Sequence, residues 1–270
     1  ATNVNTILGK TTGTVTATVS ADTAANLNTN LVNATATDAL SLTVTDTSLS
    51  SLTNLLALDA KTSVAINASN ITAISETYAN LNTAYSSAGI SGLGNEAVTI
   101  TDTQSATNVN TIANKTSGAV TATVTSGAVT ATLGALTNVD ANDVITFTTT
   151  DTSVDASDLV ALALKVDTLG VNSVTTITEA YNTANVATVV TNALNITGNT
   201  ELVSITGGSI LATDVNTILG ATSGNVTAIV TADTAAALNT ALTNATSADA
   251  LTLTVNGATA QATDLIGLDN

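Results

Sequence analysis

Cysteine, histidine, methionine, tryptophan and proline are all absent from this 270-residue chain, and its aromatic residues are Phe147 and three tyrosines. Without cysteine there is no disulfide scaffold, although that absence leaves the compartment open. Without histidine or cysteine, the side chains most often used as general base and activated nucleophile are missing. Basic residues are almost as scarce: Lys10, Lys61, Lys115 and Lys165 stand against 20 acids, for a net charge of −16. Phosphate recognition needs a basic face, so nucleic-acid binding is excluded. The same acidity opposes docking on anionic membranes, and no run approaches the length of a membrane span, so no membrane insertion is expected. No charged-then-apolar leader opens the chain.

What is present is aliphatic. Hydrophobic residues make up 44% of the chain and the mean hydropathy is +0.39, which is enough apolar surface to fold rather than stay disordered. A core of Val, Leu, Ile and Ala, with almost no rings, suits small stacked layers better than one large interior.

The layers are written into the sequence. ATNVNTILGKTTGTVTATV from Ala1 matches ATNVNTIANKTSGAVTATV from Ala106 and ATDVNTILGATSGNVTAIV from Ala212. The long unit is therefore about 105 residues, dividing the chain into 1–105, 106–211 and a partial 212–270, all read as one continuous solenoid. DALSLTVTDTS from Asp38, DVITFTTTDTS from Asp143 and DALTLTVNGAT from Asp249 hold the same register. The first residues fall inside the repeating pattern, as expected of a segment from a longer array.

A shorter period lies within the long one. A small-x-x-[Leu/Val]-Asn-Thr motif places Val4, Leu27, Leu81, Val109, Val215 and Leu238 in equivalent positions, with Leu55, Leu136, Leu159 and Leu265 in the gaps. Their spacing gives about ten coils of about 26 residues. Each coil changes period halfway. TVTATV at 14–19 alternates, as a strand with one buried face does, and then Ala24, Leu27 and Leu31 recur at helical spacing. Asp, Ser or Thr stands where each helix begins, and glycine often stands where it ends. The expected fold class is an α/β repeat: a right-handed β/α solenoid with a parallel sheet of about ten strands. An all-β parallel helix is the alternative, favoured locally at 127–139, where GAVTATLGALTNV alternates and reads as strand.

Chemistry is harder to find. Glu76, Glu96, Glu179 and Glu201 fall at roughly corresponding places in the coils. Residues replicated at each turn read as structural, so no catalytic residue is assigned and no enzyme is expected. Asp22, Asp46, Asp102, Asp151 and Asp233 all follow strands, and in a parallel stack equivalent positions lie about 4.8 Å apart. Calcium accepts such oxygen ligands, which makes these five the candidate metal site and calcium the one candidate cofactor. The glycine-rich nonapeptide calcium repeat is absent, however, and helix N-capping accounts for each Asp singly. Thr14, Thr16 and Thr18, with Thr-x-Thr pairs in later strands, form a candidate hydroxyl face; a regular face of this kind resembles ice-binding solenoids, while Thr also suits any exposed strand.

YANLNTAYSSAGISGLGNEAVTITDTQSATNVNTI at 78–112 resembles the tandem repeats of giant, acidic cell-surface proteins of marine bacteria, above all the surface and motility-associated proteins of marine unicellular cyanobacteria. The ISGLGNEAVTITDT segment carries most of the likeness. The resemblance implies a secreted or surface-displayed array serving as envelope, filament or adhesive material. Three functions follow as expectations: a structural surface array, a calcium-dependent adhesin, or an ice-binding surface. The first carries an expectation of end-to-end or lateral association between copies, because a stack of parallel strands exposes an edge at each end.

Overall fold

The computed structural model describes residues 1–181 and 185–269. Among them, eleven helices are interspersed with fifteen short strands in a mixed α/β arrangement with parallel sheets, and the helices set aside the all-β alternative. Strand partners recur at a near-constant interval: Thr16 pairs with Ala39, Ala73 with Ala97, Thr121 with Val144, and Thr176 with Leu202. Each such step carries the chain through a helix and back to the next strand.

The chain divides into two compact units, Ala1–Thr125 with Ala135–Thr146, and Ser126–Gly134 with Phe147–Asn270. In the first, Ser48–Leu49, Ala73–Glu76, Ala97–Ile100 and Val120–Thr123 lie side by side in chain order and are followed by the start of Val144–Thr148. Two smaller sheets join Thr16–Thr18 to Ala39–Ser41 and Ile66–Asn67 to Ile90–Ser91. In the second unit, Ser153–Asp155, Thr176–Ala180, Leu202–Ile210, Val226–Val230 and Ala250–Thr252 form a sheet, again in chain order.

The strands therefore do not form the one sheet of about ten that the periodicity predicts. One of the interruptions has a local cause. Between Ile66–Asn67 and Ala73–Glu76, Asn67 Oδ1 accepts the Ser69 N–H at 3.1 Å and the Asn70 side chain donates to the Val44 carbonyl at 2.9 Å. These asparagine bonds turn the backbone and break the strand, as short amide side chains do.

The helices are 7 to 12 residues long and rich in Asn, Thr and Val, so packing rather than intrinsic propensity holds them. Of the ten motif positions read from the sequence, Val4 is half-buried and Leu265 exposed, while Leu27, Leu55, Leu81, Val109, Leu136, Leu159, Val215 and Leu238 are completely buried. Burying each stabilises the fold by about 1.5–3 kcal/mol. Strands supply the opposing face through Leu40, Val98, Val120, Ile145 and Phe147. The spacing of Leu49, Leu52, Leu55 and Leu56 reads in the sequence as one helical stripe, but Leu49 belongs to a strand, and the helix Thr53–Asp59 begins after Leu52.

The segment read as strand at 127–139 is corrected by the structure, which has a helix over Val129–Ala135. Alternation and helical spacing coincide over so short a run. Val129, Thr132 and Leu136 are buried at steps of three and four, and Asp151 Oδ2 accepts the Val129 N–H at 2.8 Å. Tertiary burial and an external cap outweigh the local β preference of Val and Thr.

Close stacking sets a steric requirement at the start of certain strands. A Cβ at Gly118 would lie 2.3 Å from the Glu96 carbonyl oxygen, and one at Gly224 would lie 2.1 Å from that of Glu201. Gly13 holds the same place in the first repeat, and a Cβ there meets nothing nearer than Thr11 Oγ1 at 3.5 Å. Gly118→Ala is therefore expected to destabilise the protein by about 1–3 kcal/mol or more through overpacking, while Gly13→Ala changes stability by about 0.5 kcal/mol or less. Paired urea titrations measure both, and equal effects would refute the close-approach explanation.

Candidate functional site

The polar side chains at the matched sequence positions lie along the seams between successive strand–helix segments, or turns. At the helix N-termini, carboxylates reach back to the helix of the preceding turn. Asp46 Oδ2 accepts the Ala24 N–H at 2.7 Å, Glu76 Oε2 that of Leu52 at 3.0 Å, and Asp102 Oδ1 that of Tyr78 at 2.9 Å. In the second unit Asp151 takes the Val129 N–H at 2.8 Å and Glu179 Oε2 takes that of Ser157 at 3.0 Å. First-turn amides have no partner inside their own helix, and an anion beside them also meets the positive end of the helix dipole. Each bond of this kind is worth about 1.5–3 kcal/mol.

Three of the five aspartates singled out from the sequence, Asp46, Asp102 and Asp151, thus cap a neighbouring turn's helix. Asp22 and Asp233 act locally. Each accepts the N–H of the following threonine, at 2.8 Å and 2.7 Å, while Thr23 and Thr234 are the side-chain caps of the helices that follow. Asp22 also accepts from the Asn26 side chain, and this bond, with that of Thr23, holds its carboxyl below the ordinary value.

A second carboxylate row lies at the entrance to the strands. Asp38, Asp143 and Asp249 accept the N–H groups of Val15, Val120 and Val226 in the preceding turn at 2.8, 2.6 and 2.8 Å. Their other oxygens close their own turns on the N–H groups of Thr35, Asp140 and Thr246. Reading the sequence for sites missed this row, although the signal was present: each residue opens one of the matched segments beginning at 38, 143 and 249. Beside it, the Thr-Ser pairs after the helices clip each turn to the one before. Thr62 Oγ1 donates to the Leu40 carbonyl and Ser63 N–H to Asp38, Thr116 to Glu96 and Ser117 to Gly94, Thr222 to Glu201 and Ser223 to Asn199.

The motif asparagines form a third row. Asn5 Oδ1 accepts the Asn33 N–H at 2.8 Å, Asn110 that of Asn138 at 2.6 Å, and Asn216 that of Asn244 at 2.7 Å. The same bond recurs in each long repeat at the same 28-residue separation, which accounts for three of the six asparagines of the short motif; Asn28 instead donates from its side chain to Asn54.

The electrostatics follow from these partners. The Val15 amide, with Thr35, holds the Asp38 carboxyl below the ordinary range against the opposing effect of burial. Burial pushes Glu76 upward, but the amides of Thr77 and Leu52 outweigh it and leave the group lowered. Glu179 goes the other way: burial and the nearby charge of Asp155 raise it, and the Ser157 bonds only partly offset them. Burial, and the hydrogen bond to fully buried Glu96, push the Tyr85 hydroxyl far up, which keeps it a donor.

Among the described residues no three acids converge in a way that would hold a metal ion, and every buried polar side-chain atom has a partner. No helix among them is long and apolar enough to cross a membrane. The threonine face is discontinuous. Thr99 neighbours Thr121 and Thr123 neighbours Thr146, but Thr121 next meets Val144 and Thr16 meets Ala39. Compared with known proteins, the chain matches no family model, no curated protein and no solved structure.

The lowered carboxylates set a pH dependence. Asp38 and Glu76 stabilise the folded state fully above the unfolded value of about 4 and lose that contribution as pH falls through their lower folded values. Glu179 has the opposite sign, since its ionisation opposes folding above its raised value, and so it softens the acid loss without reversing it. Thermal unfolding between neutral pH and pH 3 should show stability falling below about pH 4, and Asp38→Asn should cost about 1–3 kcal/mol at neutral pH by turning one acceptor into a donor facing an N–H. A melting temperature independent of pH would contradict this account. Because the five candidate aspartates already take amide and side-chain donors, a chelator is expected to leave the melting temperature unchanged, and a clear drop would reinstate calcium.

Proposed function

We propose that the chain is a structural segment of an extracellular or cell-surface protein, in which each compact unit is a run of right-handed β/α solenoid and the product is an extended array. The observation that carries this reading is the recurrence of the same seam bonds at each long repeat, Asn5 to Asn33, Asn110 to Asn138 and Asn216 to Asn244. The polar residues that recur along the chain bind the next turn of the same chain. A fold whose recurring polar groups serve its own stacking makes length and surface, in the manner of other repeat proteins. The likeness of residues 78–112 to the repeats of giant surface proteins supports the location, and net charge −16 suits a surface exposed to salt, where like-charge repulsion is screened. No catalytic step belongs to this reading, and association between copies does.

Immunogold labelling of intact source cells with antibodies raised against the 270-residue chain tests the location. Labelling of unpermeabilised cells, removed by external protease, is expected; labelling only after lysis would refute the surface assignment.

A further inference from the structure

We infer that the Asn256–Gly257 step is a site of spontaneous covalent modification, at which the asparagine amide is lost and isoaspartate or aspartate takes its place in the seam between two turns.

The step is unique in the chain, since glycine follows asparagine nowhere else. In the matched segments a different pair stands there: DALSLTVTDTS has Thr45 and Asp46, and DVITFTTTDTS has Thr150 and Asp151. In those turns the aspartate braces the loop by taking the Ala24 N–H at 2.7 Å and the Val129 N–H at 2.8 Å. Gly257 has no side chain with which to do so. It lies at φ +119°, a Cβ there would meet nothing nearer than the Thr259 carbonyl oxygen at 3.8 Å, and its N–H donates to no protein group among the described residues. Asn256 is exposed, and so are Thr45 and Thr150, each of which is followed by further turns, so the exposure belongs to the place of this loop in the turn.

The chemistry needs only water. The Gly257 nitrogen, on losing its proton, attacks Asn256 Cγ; a C–N bond forms and the side-chain amide leaves as ammonia, giving a cyclic imide. Glycine favours this step because no Cβ obstructs the approach of its nitrogen, and asparagine is among the thermolabile residues for such reasons. Water then opens the imide. Breaking the bond from Cγ to the Gly257 nitrogen restores the main chain with aspartate, and breaking the bond from the Asn256 main-chain carbonyl carbon leaves the chain running through the side chain as isoaspartate. Nothing is oxidised or reduced.

The seam registers the change. Asn256 N–H donates to the Asp233 carbonyl at 2.9 Å, as Thr45 does to Asp22 and Thr150 to Gly127, and Asn256 Nδ2 adds a bond to the Ala232 carbonyl at 3.3 Å. Conversion replaces that amide donor with a carboxylate, and isoaspartate also lengthens the main chain beside the bridge between Asp233 and Val255.

Incubation of the folded 270-residue chain at mildly alkaline pH, followed by a protease that cuts before aspartate, reads the outcome. Cuts before Asp249 and Asp264 release 249–263, in which Asn256 is the sole asparagine. The same peptide at the mass of the acid is isoaspartate, which the protease passes over, whereas aspartate is cut to 249–255 and 256–263. Conversion at 256, mostly to isoaspartate, is expected ahead of that at any other asparagine, with a lower melting temperature for the aged chain. Asn256→Thr, which restores the residue found at 45 and 150, should show neither change. An Asn256 that keeps its amide in the folded chain overturns the inference, as does conversion spread evenly over the asparagines or an Asn256→Thr chain that loses stability on ageing as the wild type does.

Discussion

A backbone N–H at the start of a helix has no acceptor within its own helix. Several of the short helices here meet that need with a carboxylate from the next turn, as in Asp46 to Ala24, Asp102 to Tyr78 and Glu179 to Ser157. The helices could not stand alone, being short and poor in helix-forming residues. Those three helices are held from below by Leu27, Leu81 and Leu159 and at their ends by the turn that follows. Asp38, Asp143 and Asp249 do the same for the strand entrances. Much of the polar chemistry of this protein therefore belongs to the seams between successive strand–helix segments.

That arrangement explains how a chain with four basic residues tolerates buried carboxylates. Asp38, Glu96, Asp143, Glu179 and Glu201 are all nearly or wholly inaccessible. Backbone amides, hydroxyls and one tyrosine serve as their counterparts. Such donors stabilise the ionised form without a countercharge, and they are fixed in direction by the strands and helices that carry them. Glu179 shows the limit of the device, since burial, together with the nearby charge of Asp155, pushes its carboxyl back up.

The periodic part of this organisation was legible in the sequence because burial leaves a local mark. Leu27, Leu55, Leu81 and Val109 recur at turn spacing, and all are buried at helix positions. The seams were harder to read. Asp46 and Asp102 precede serine and threonine, so each looks like a cap for the helix that follows, while its actual partner lies 22 or 24 residues earlier. No local pattern reports a partner at that distance. The helix Val129–Ala135 was hidden for a different reason: in VTATL the alternating and helical periods agree, and only the burial of Val129, Thr132 and Leu136 separates them.

The direction of the reach-back bonds has a temporal consequence. A chain emerging N-terminus first, whether from a ribosome or through a secretion pore, presents the helix beginning at Ala24 before Asp46 exists to finish it, and the helix beginning at Tyr78 before Asp102. The growing end therefore always includes an unfinished turn, and order propagates behind the exit point with a lag of one turn.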